Sequence, residues 1–308
     1  MKGFFERLNS SGKPKRVDLV EKDFRIHRLL DQISRDEYFR DNLAFKGGTC
    51  LIKAYLGYHR FSEDIDFTWI DDGLWKEKSV NQIKNRCSEE IAETIRRIKV
   101  ISDRLGLGFG GDKKDPNEVH ISSGGRMAAF HLGYLSDTLN VPSRIKVEIN
   151  FVDILLFPIV KRKLMSYADT MDSDEIRFLY EGPWKDYTSD IVLTCYDPQE
   201  IFVEKCRASL TRGIHKHRDA VDIWFMEKRY GFSIPKYRSH ILEKIRFMSD
   251  LYRRYRENVE WTRFHPSDID SSEEAKLMLA EIPSGMQRDI ARIHQELDNI
   301  RNEVVKER

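Results

Sequence analysis

The sequence predicts an α+β fold, because strand patterns and helix patterns occupy different parts of the chain. Apolar and polar residues alternate, as they do in half-buried strands, at 60–70, 126–134 and 144–151. The last third of the chain instead shows helical spacing with recognisable helix starts and stops. We therefore predict a first domain at residues 1–190 that contains the sheet, and a helical second domain at residues 191–308.

Helical spacing in the first domain covers 17–43, which predicts one or two helices, and 79–105, which predicts a long amphipathic helix capped by Gly106. Between these regions, Phe45 to Gly48 is a short run ending in a double-glycine turn, and we expect a helix to begin near Thr49. The start of that helix would face any ligand bound at the turn.

The glycines from Gly106 to Gly111 match the pattern GxGxxG. A dinucleotide-binding fingerprint needs a strand before this pattern and a helix after it. Here a helix precedes it and a polar segment with a proline follows. The pattern therefore does not predict a dinucleotide-binding fold.

The second domain opens with a strong helix start. Asp197 can cap the helix, Pro198 suits its first position and Glu200 its third, which predicts a helix to about Arg212 with Gly213 behind it. Further helices are predicted at 217–230, 234–255, 271–280 and 287–305.

Composition limits the class of protein. A chain of 308 residues can bury a sizeable core without covalent cross-links. With 40% hydrophobic and 33% charged residues, it is too apolar for a disordered chain and too polar for a membrane protein. Its 52 Lys and Arg against 51 Asp and Glu give a net charge of +1, so a nucleic-acid partner would need a local basic patch.

The cellular location is predicted from the absence of targeting and membrane-spanning segments in the sequence. We find neither a signal peptide nor an apolar run long enough to span a membrane. The cysteines are widely spaced and form no CxxC pair, which argues against a disulfide framework and a zinc site. We therefore expect a cytoplasmic protein without a membrane partner.

The most informative group of residues starts at the glycine turn. Fourteen residues separate Thr49 from Asp64. Asp64 and Asp66 leave one face of a predicted strand, and Glu148 lies on another strand with the same alternation. Such carboxylates form a hard-oxygen site that suits one or two Mg²⁺ ions, which commonly hold phosphates. A DxD alone is more often a solvated strand edge, but the preceding Gly47-Gly48-Thr49 offers a helix start for the phosphates and favours a triphosphate site.

These motifs resemble those of a known family. The segments FKGGTCL, from Phe45, and RFSEDIDF, from Arg60, are similar to the first motif of the AbiEii/AbiGii abortive-infection toxins. These toxins belong to the DNA polymerase β-like nucleotidyltransferase superfamily. Further on, EIFVEKCRASL, from Glu200, and RDAVDIW, from Arg218, resemble the third and fourth motifs, so that the resemblance spans about 44–224. It implies a mixed sheet flanked by helices and a helical C-terminal domain.

The resemblance also implies roles for individual residues. Asp64 and Asp66 would bind the metal, while Lys205 and Asp219 would be further essential positions, supplied by the second domain. Expected nucleotide contacts are Gly47, Gly48, Thr49, Ser62, Lys205 and Arg218.

Two assignments within this set stay open. The alternation of its strand favours Glu148 as the third catalytic and metal-binding carboxylate, but Asp153 competes for that role. The resemblance assigns no role to Asp222.

A basic stretch from Lys205 to Arg218 carries five formal positive charges and two histidines without an acid. It suits nucleotide phosphates or an RNA backbone, although part of it could instead balance the acidic site. His215 and His217 have no Cys or third His beside them, which argues against a transition-metal site.

The resemblance implies the function as well. We expect a Mg²⁺-dependent toxin of a phage-defence system that transfers a nucleotide from an NTP to an acceptor, with the tRNA 3′ end as the expected acceptor and a cognate antitoxin as partner. Two alternatives remain. The acceptor could be a small hydroxylated molecule, or the chain could be a catalytically inactive relative that binds RNA or protein.

Overall fold

The computed structural model describes residues 1–10, 16–212, 216–262, 264, 278–279, 283 and 285–306. The chain forms two compact units. Unit 1 comprises residues 1–153 and 159–195, and unit 2 comprises residues 154–158 and 196–308. The predicted domain boundary at residue 190 stays a prediction. No helix among the described residues has the length and apolar character needed to cross a membrane.

Unit 1 contains a seven-stranded mixed sheet, with its strands numbered in chain order. These are β1 Leu43–Lys46, β2 Asp64–Trp69, β3 Val119–Ser122, β4 Met127–Leu135, β5 Pro142–Asn150, β6 Ile159–Leu164 and β7 Ile191–Tyr196. The order across the sheet is β3-β4-β5-β2-β1-β7-β6. β2 pairs antiparallel with β1 and parallel with β5. The predicted α+β class with a mixed sheet is confirmed.

Seven α-helices of unit 1 are described around this sheet: α1 Lys2–Ser10, α2 Val17–Arg35, α3 Glu37–Asn42, α4 Gly47–Leu51, α5 Val80–Leu105, α6 Asp174–Leu179 and α7 Glu181–Tyr187. A π-helical turn, Ile52–Leu56, continues α4. The region 17–43 holds two helices because Asp36 ends α2 and caps α3, its side chain accepting from the Phe39 N–H.

Local chemistry sets the two ends of α5. Ser79 and Gln82 form a reciprocal capping box at its start, and Gly106 caps its end in the left-handed conformation, as predicted. Gly108 then pairs with the backbone of Gly133 rather than opening a helix. The GxGxxG pattern is therefore a helix cap and a sheet contact.

A buried polar cluster fixes the helix that follows the glycine turn. Lys53, on the π-helical turn, forms an ion pair with Asp23 of α2 at 2.9 Å, and both side chains are almost wholly buried. The hydroxyls of Tyr58 and Tyr187 donate to the same carboxylate at 2.8 and 2.7 Å. A buried charge must be paired and hydrogen-bonded. This cluster therefore holds the π-helical turn that continues α4 against α2.

Unit 2 is helical in its described part: α8 Pro198–Thr211, α9 His217–Tyr230, α10 Arg238–Leu251, α11 Arg253–Trp261 and α12 Met286–Lys306. Asp197 caps α8 as predicted, accepting from the Gln199 N–H. The prediction of one helix over 234–255 is wrong, because the extended backbone at Tyr252 separates α10 from α11. Gly213 and most of the helix predicted at 271–280 lie outside the described residues.

The segment Ile154–Pro158 belongs to unit 2 although unit 1 surrounds it in the sequence. Glu200 of α8 accepts from the backbone N–H groups of Leu156 and Phe157, at 2.7 and 2.9 Å. Lys244 of α10 is fully buried, pairs with Glu200 at 2.8 Å and donates to the first carbonyl of the segment. The segment is thus bound to unit 2 through its backbone.

Candidate active site

The double glycine lies directly against the DxD strand. α4 begins at Gly47, two residues earlier than predicted, and Gly47 has a φ of +78°. A Cβ there would lie 2.9 Å from Cγ of Asp66 and closer still to one of its oxygens. A Cβ at Gly48 would lie 2.6 Å from a guanidinium nitrogen of Arg60. Gly47 is therefore favoured by its backbone conformation and by the close approach of Asp66, whereas a Cβ at Gly48 would displace the end of the Arg60 side chain.

The side chain of Thr49 stabilises the glycine turn from within the protein. Its buried hydroxyl lies within hydrogen-bonding distance of the Asp64 carbonyl and 2.9 Å from the Ser62 hydroxyl. Thr49 and Ser62, both predicted nucleotide contacts, are thus brought together at the start of β2. Their hydroxyls link the helix start to the strand that carries the aspartates.

The strand register places the predicted carboxylates on one face of the sheet. Asp66 of β2 lies directly opposite Glu148 of β5, and Asp64 lies opposite Lys146. Partners in register share a face, so all four side chains form one patch. The Lys146 ammonium lies 3.4 Å from Asp64 Oδ2 and 3.4 Å from Glu148 Oε2.

Charge crowding shifts the titration of this patch. Burial and the neighbouring carboxylates of Glu148 and Asp64 raise the pKa of Asp66 to about 6. Burial alone would lower the pKa of Lys146, but the carboxylates of Glu148 and Asp64 outweigh it and raise that pKa. The patch therefore favours a cation among its oxygens.

Asp153, the alternative third carboxylate, has a different environment. It is buried, and its Oδ2 lies 3.2 Å from the ammonium of Lys46. Lys46 ends β1 opposite Asp66 and immediately precedes the glycine turn. Each of the two carboxylates is thus paired with a lysine, but only Glu148 lies opposite Asp66 in the strand register, which favours Glu148 as the third member of the carboxylate set.

Lys205 and Asp219 meet in unit 2. The Lys205 ammonium lies 2.7 Å from Asp219 Oδ1 and 2.8 Å from Asp222 Oδ2, and all three side chains are buried. Arg212 reaches the other oxygen of Asp219 at 2.6 Å. Burial alone would raise the pKa of Asp219, but Lys205 and Arg212 outweigh it and lower that pKa to about 2. Asp222, which had no predicted role, shares in holding the ammonium.

The basic stretch has acids just outside it. Besides the pairs of Lys205 and Arg212, Arg207 forms an ion pair with Glu204. At least three of its five charges are therefore paired within unit 2. Arg218 lies partly exposed in the first turn of α9, and His215 lies outside the described residues.

The oxygens of Asp64, Asp66 and Glu148 are the donor type that Mg²⁺ prefers. Within the described ranges, however, no three acidic, histidine or cysteine side chains are arranged to ligate one ion. Lys146 lies between two of these carboxylates, so ligation would require its ammonium to move. The residues fit a divalent cation in chemistry and register.

Comparison with known families identifies the chain. The sequence profile described as the nucleotidyl transferase AbiEii toxin of the Type IV toxin–antitoxin system matches residues 28–303. The chain belongs to the AbiEii family. The resemblance of its motifs is thereby confirmed, and with it membership in a family of nucleotidyltransferase toxins.

Other comparisons add little to the AbiEii match. None of the curated proteins compared matches the chain. The crystal structure of JHP933 from Helicobacter pylori has a TM-score of 0.42 and 16% identity, and covers 94% of each chain. That of a presumed nucleotidyltransferase from H. pylori has a TM-score of 0.41 and 15% identity, and covers 94% of this chain and 96% of that one. Likenesses this distant carry no argument about function.

Three basic residues of the candidate site were not predicted from the sequence. Lys46 and Lys146 flank the carboxylates, and Arg60 is buried behind Gly48. A signal existed for Lys146, because it alternates with Glu148 on the polar face of a strand. The positions of Lys46 and Arg60 depend on strand pairing and turn geometry, for which the sequence alone carries no visible pattern.

Proposed function

We propose that this AbiEii-family protein is a Mg²⁺-dependent nucleotidyltransferase that moves a nucleotide from an NTP to a hydroxyl of an RNA acceptor, the tRNA 3′ end. The observation that carries the proposal is the single sheet face formed by Asp64, Asp66 and Glu148, with the glycine turn packed against Asp66. In this arrangement the carboxylates are the metal ligands and the start of α4 offers backbone N–H groups to phosphate.

The residues of unit 1 have different proposed roles in binding the metal and the triphosphate. Asp64, Asp66 and Glu148 would hold the ion, which supplies charge neutralisation at the reacting phosphate. Gly47 and Gly48 keep side chains out of the space beside them. Thr49 and Ser62 hold the turn at its distance from β2, and in this proposal they support the triphosphate site without donating to the nucleotide themselves.

Lys205 is proposed as a phosphate contact and Arg218 as a second one. Asp219 and Asp222 hold the Lys205 ammonium in place, so they act as positioning residues. Because the pKa of Asp219 is about 2, this carboxylate stays ionised throughout the physiological range and keeps its pairing with Lys205. These assignments follow the family motifs and the observed ion pairs.

Membership in a Type IV toxin–antitoxin family supports an antitoxin partner and a nucleotide substrate. We propose that the toxin acts in the cytoplasm, where it modifies tRNA during abortive infection and blocks growth. The preferred nucleotide is left to experiment.

One observation favours a second acceptor class. At least three charges of the basic stretch are paired within unit 2, which leaves a smaller positive surface for a long RNA backbone. A small hydroxylated acceptor needs no such surface. The same transferase chemistry could therefore act on a small molecule.

The deciding experiment incubates the protein with each α-labelled NTP, Mg²⁺ and total tRNA, and follows label and pyrophosphate. Asp66→Asn should lower transfer by roughly 100-fold or more, the scale expected for losing one electrostatic contact to the transition state. Asp190→Asn is the matched control, because Asp190 is an exposed carboxylate paired with Lys163. We expect it to keep full activity.

The outcomes separate the alternatives. Label in tRNA that depends on Mg²⁺ and Asp66 supports the proposal. If pyrophosphate is released with small hydroxylated acceptors while tRNA takes up no label, the second acceptor class is favoured. Failure to bind Mg²⁺-NTP would contradict the proposed enzymatic activity. It would instead favour a catalytically inactive protein that retains the fold and binds RNA or protein.

A further inference from the structure

Lys146 is the lysine that forms ion pairs with two members of the carboxylate patch, Asp64 and Glu148. It lies on β5 two residues before Glu148 and directly opposite Asp64, so its side chain leaves the same face as the carboxylates. Its ammonium is 3.4 Å from an oxygen of each of these two residues. The side chain is about 30% exposed, so a substitution there can be accommodated more easily than in the core.

Lys146 is therefore a counter-cation of these carboxylates, and Lys46, opposite Asp66 in the register, is a second lysine beside them. Asp64, Asp66 and Glu148 share one sheet face and repel one another, and Lys146, 3.4 Å from two of them, offsets part of that repulsion. The two carboxylates paired with the ammonium, Asp64 and Glu148, are both among the residues that would hold a divalent ion. A single lysine cannot remain between them while a second cation binds there, because like charges at this distance repel.

We propose that Lys146 is a built-in competitor of the divalent metal, which stabilises the metal-free site and lowers its affinity for the ion. The inference rests on the proposed metal-dependent function and assigns a regulatory role within that site. It predicts that the free enzyme binds the metal weakly by itself. With an ion held by Asp64 and Glu148, the Lys146 ammonium would be displaced from both carboxylates and could pair with the polyanionic substrate.

The experiment measures metal affinity directly, without a transfer assay. Mn²⁺ binding to the full chain is followed by calorimetry for the wild type, Lys146→Met and Lys146→Arg. Lys163→Met is the control, because Lys163 is a strand lysine paired with Asp190 outside the patch. We expect about 30-fold tighter binding for Lys146→Met, the effect of removing one charge about 4 Å from a doubly charged ion even at the dielectric of water. The arginine and control variants should bind like the wild type.

Thermal unfolding supplies a second measurement. Without metal, Lys146→Met should melt a few degrees below the wild type, because the carboxylates lose their counter-cation. Saturating Mg²⁺ should abolish this difference. A lysine that only supports the fold would lower the melting temperature equally with and without the ion. If the methionine variant fails to fold, Lys146→Gln carries the same expectations at this partly exposed position.

Wild-type affinity in a folded Lys146→Met or Lys146→Gln variant would overturn the inference and leave the proposed function intact. If neither the wild type nor the variants bind Mn²⁺ at millimolar concentration, the inference is wrong and the proposed metal dependence fails with it. Tighter binding by the methionine variant alone supports the competition.

Discussion

Replacing Gly47 by alanine tests how the glycine turn and the DxD strand are coupled. The φ of +78° is costly for any residue with a Cβ, by about 1 to 2 kcal/mol. The new Cβ would also lie 2.9 Å from Cγ of Asp66 and nearer to its carboxylate oxygen. Since β2 is paired on both sides, we expect the Asp66 side chain to rotate away before the strand moves.

Gly106→Ala is the matched control for this change. Gly106 has a φ of +68° at the end of α5, and a Cβ there would meet nothing within 4 Å. Both variants should therefore lose about 1 to 2 kcal/mol of unfolding free energy in urea. Only Gly47→Ala should also lose transfer activity, by about 100-fold, because a catalytic group displaced by about 1 Å can cost that much.

The comparison of the two variants is decisive. If Gly47→Ala retained activity within a few-fold of Gly106→Ala, the close approach of the turn to Asp66 would have no part in catalysis. If both variants lost activity equally, the loss would reflect backbone strain and not the position of the carboxylate.

Three further predictions concern other parts of unit 1. Burial lowers the pKa of His27 from 6.5 to about 3, so stability is fully present above pH 6.5 and falls as the pH drops towards 3. In urea titrations between pH 6.5 and 5, the wild type should lose up to about 1.4 kcal/mol per pH unit relative to His27→Gln, because the glutamine does not titrate. Lys53→Met leaves the Asp23 carboxylate buried without its cation and should cost about 3 to 5 kcal/mol in the same assay; a cost below 1 kcal/mol would contradict the role given to this pair. Glu148→Gln should reduce transfer at least tenfold more than Asp153→Asn, whereas the reverse order would show that Asp153 is the third carboxylate.

Elements with local signals could be predicted from the sequence. The ends of α5 follow from the capping box at Ser79 and the left-handed Gly106, and α8 begins where Asp197 and Pro198 place it. Short strands such as β6 were missed, because their stability depends on a partner distant in sequence. The break at Tyr252 has no glycine or proline beside it, so helical spacing appeared continuous.

The candidate site was predictable to the same extent. Alternation alone places Asp64 and Asp66 on one face of a strand, but only the register shows that Glu148 lies opposite Asp66. The pairing of Lys46 with Asp153 explains why a carboxylate only five residues from Glu148 has a different environment. Residue type and strand alternation identify the candidate site residues. The pairing of strands that are distant in sequence then decides which of them lie together.

The segment Ile154–Pro158 has a consequence for any attempt to divide the protein. Neither unit is a continuous stretch of chain, so one cut cannot release an intact unit 2. A fragment that begins at Tyr196 would retain Glu200 and Lys244 in its interior without the backbone groups that they bind here. During synthesis, this segment likewise leaves the ribosome well before α10, and it can dock fully only when Lys244 has followed.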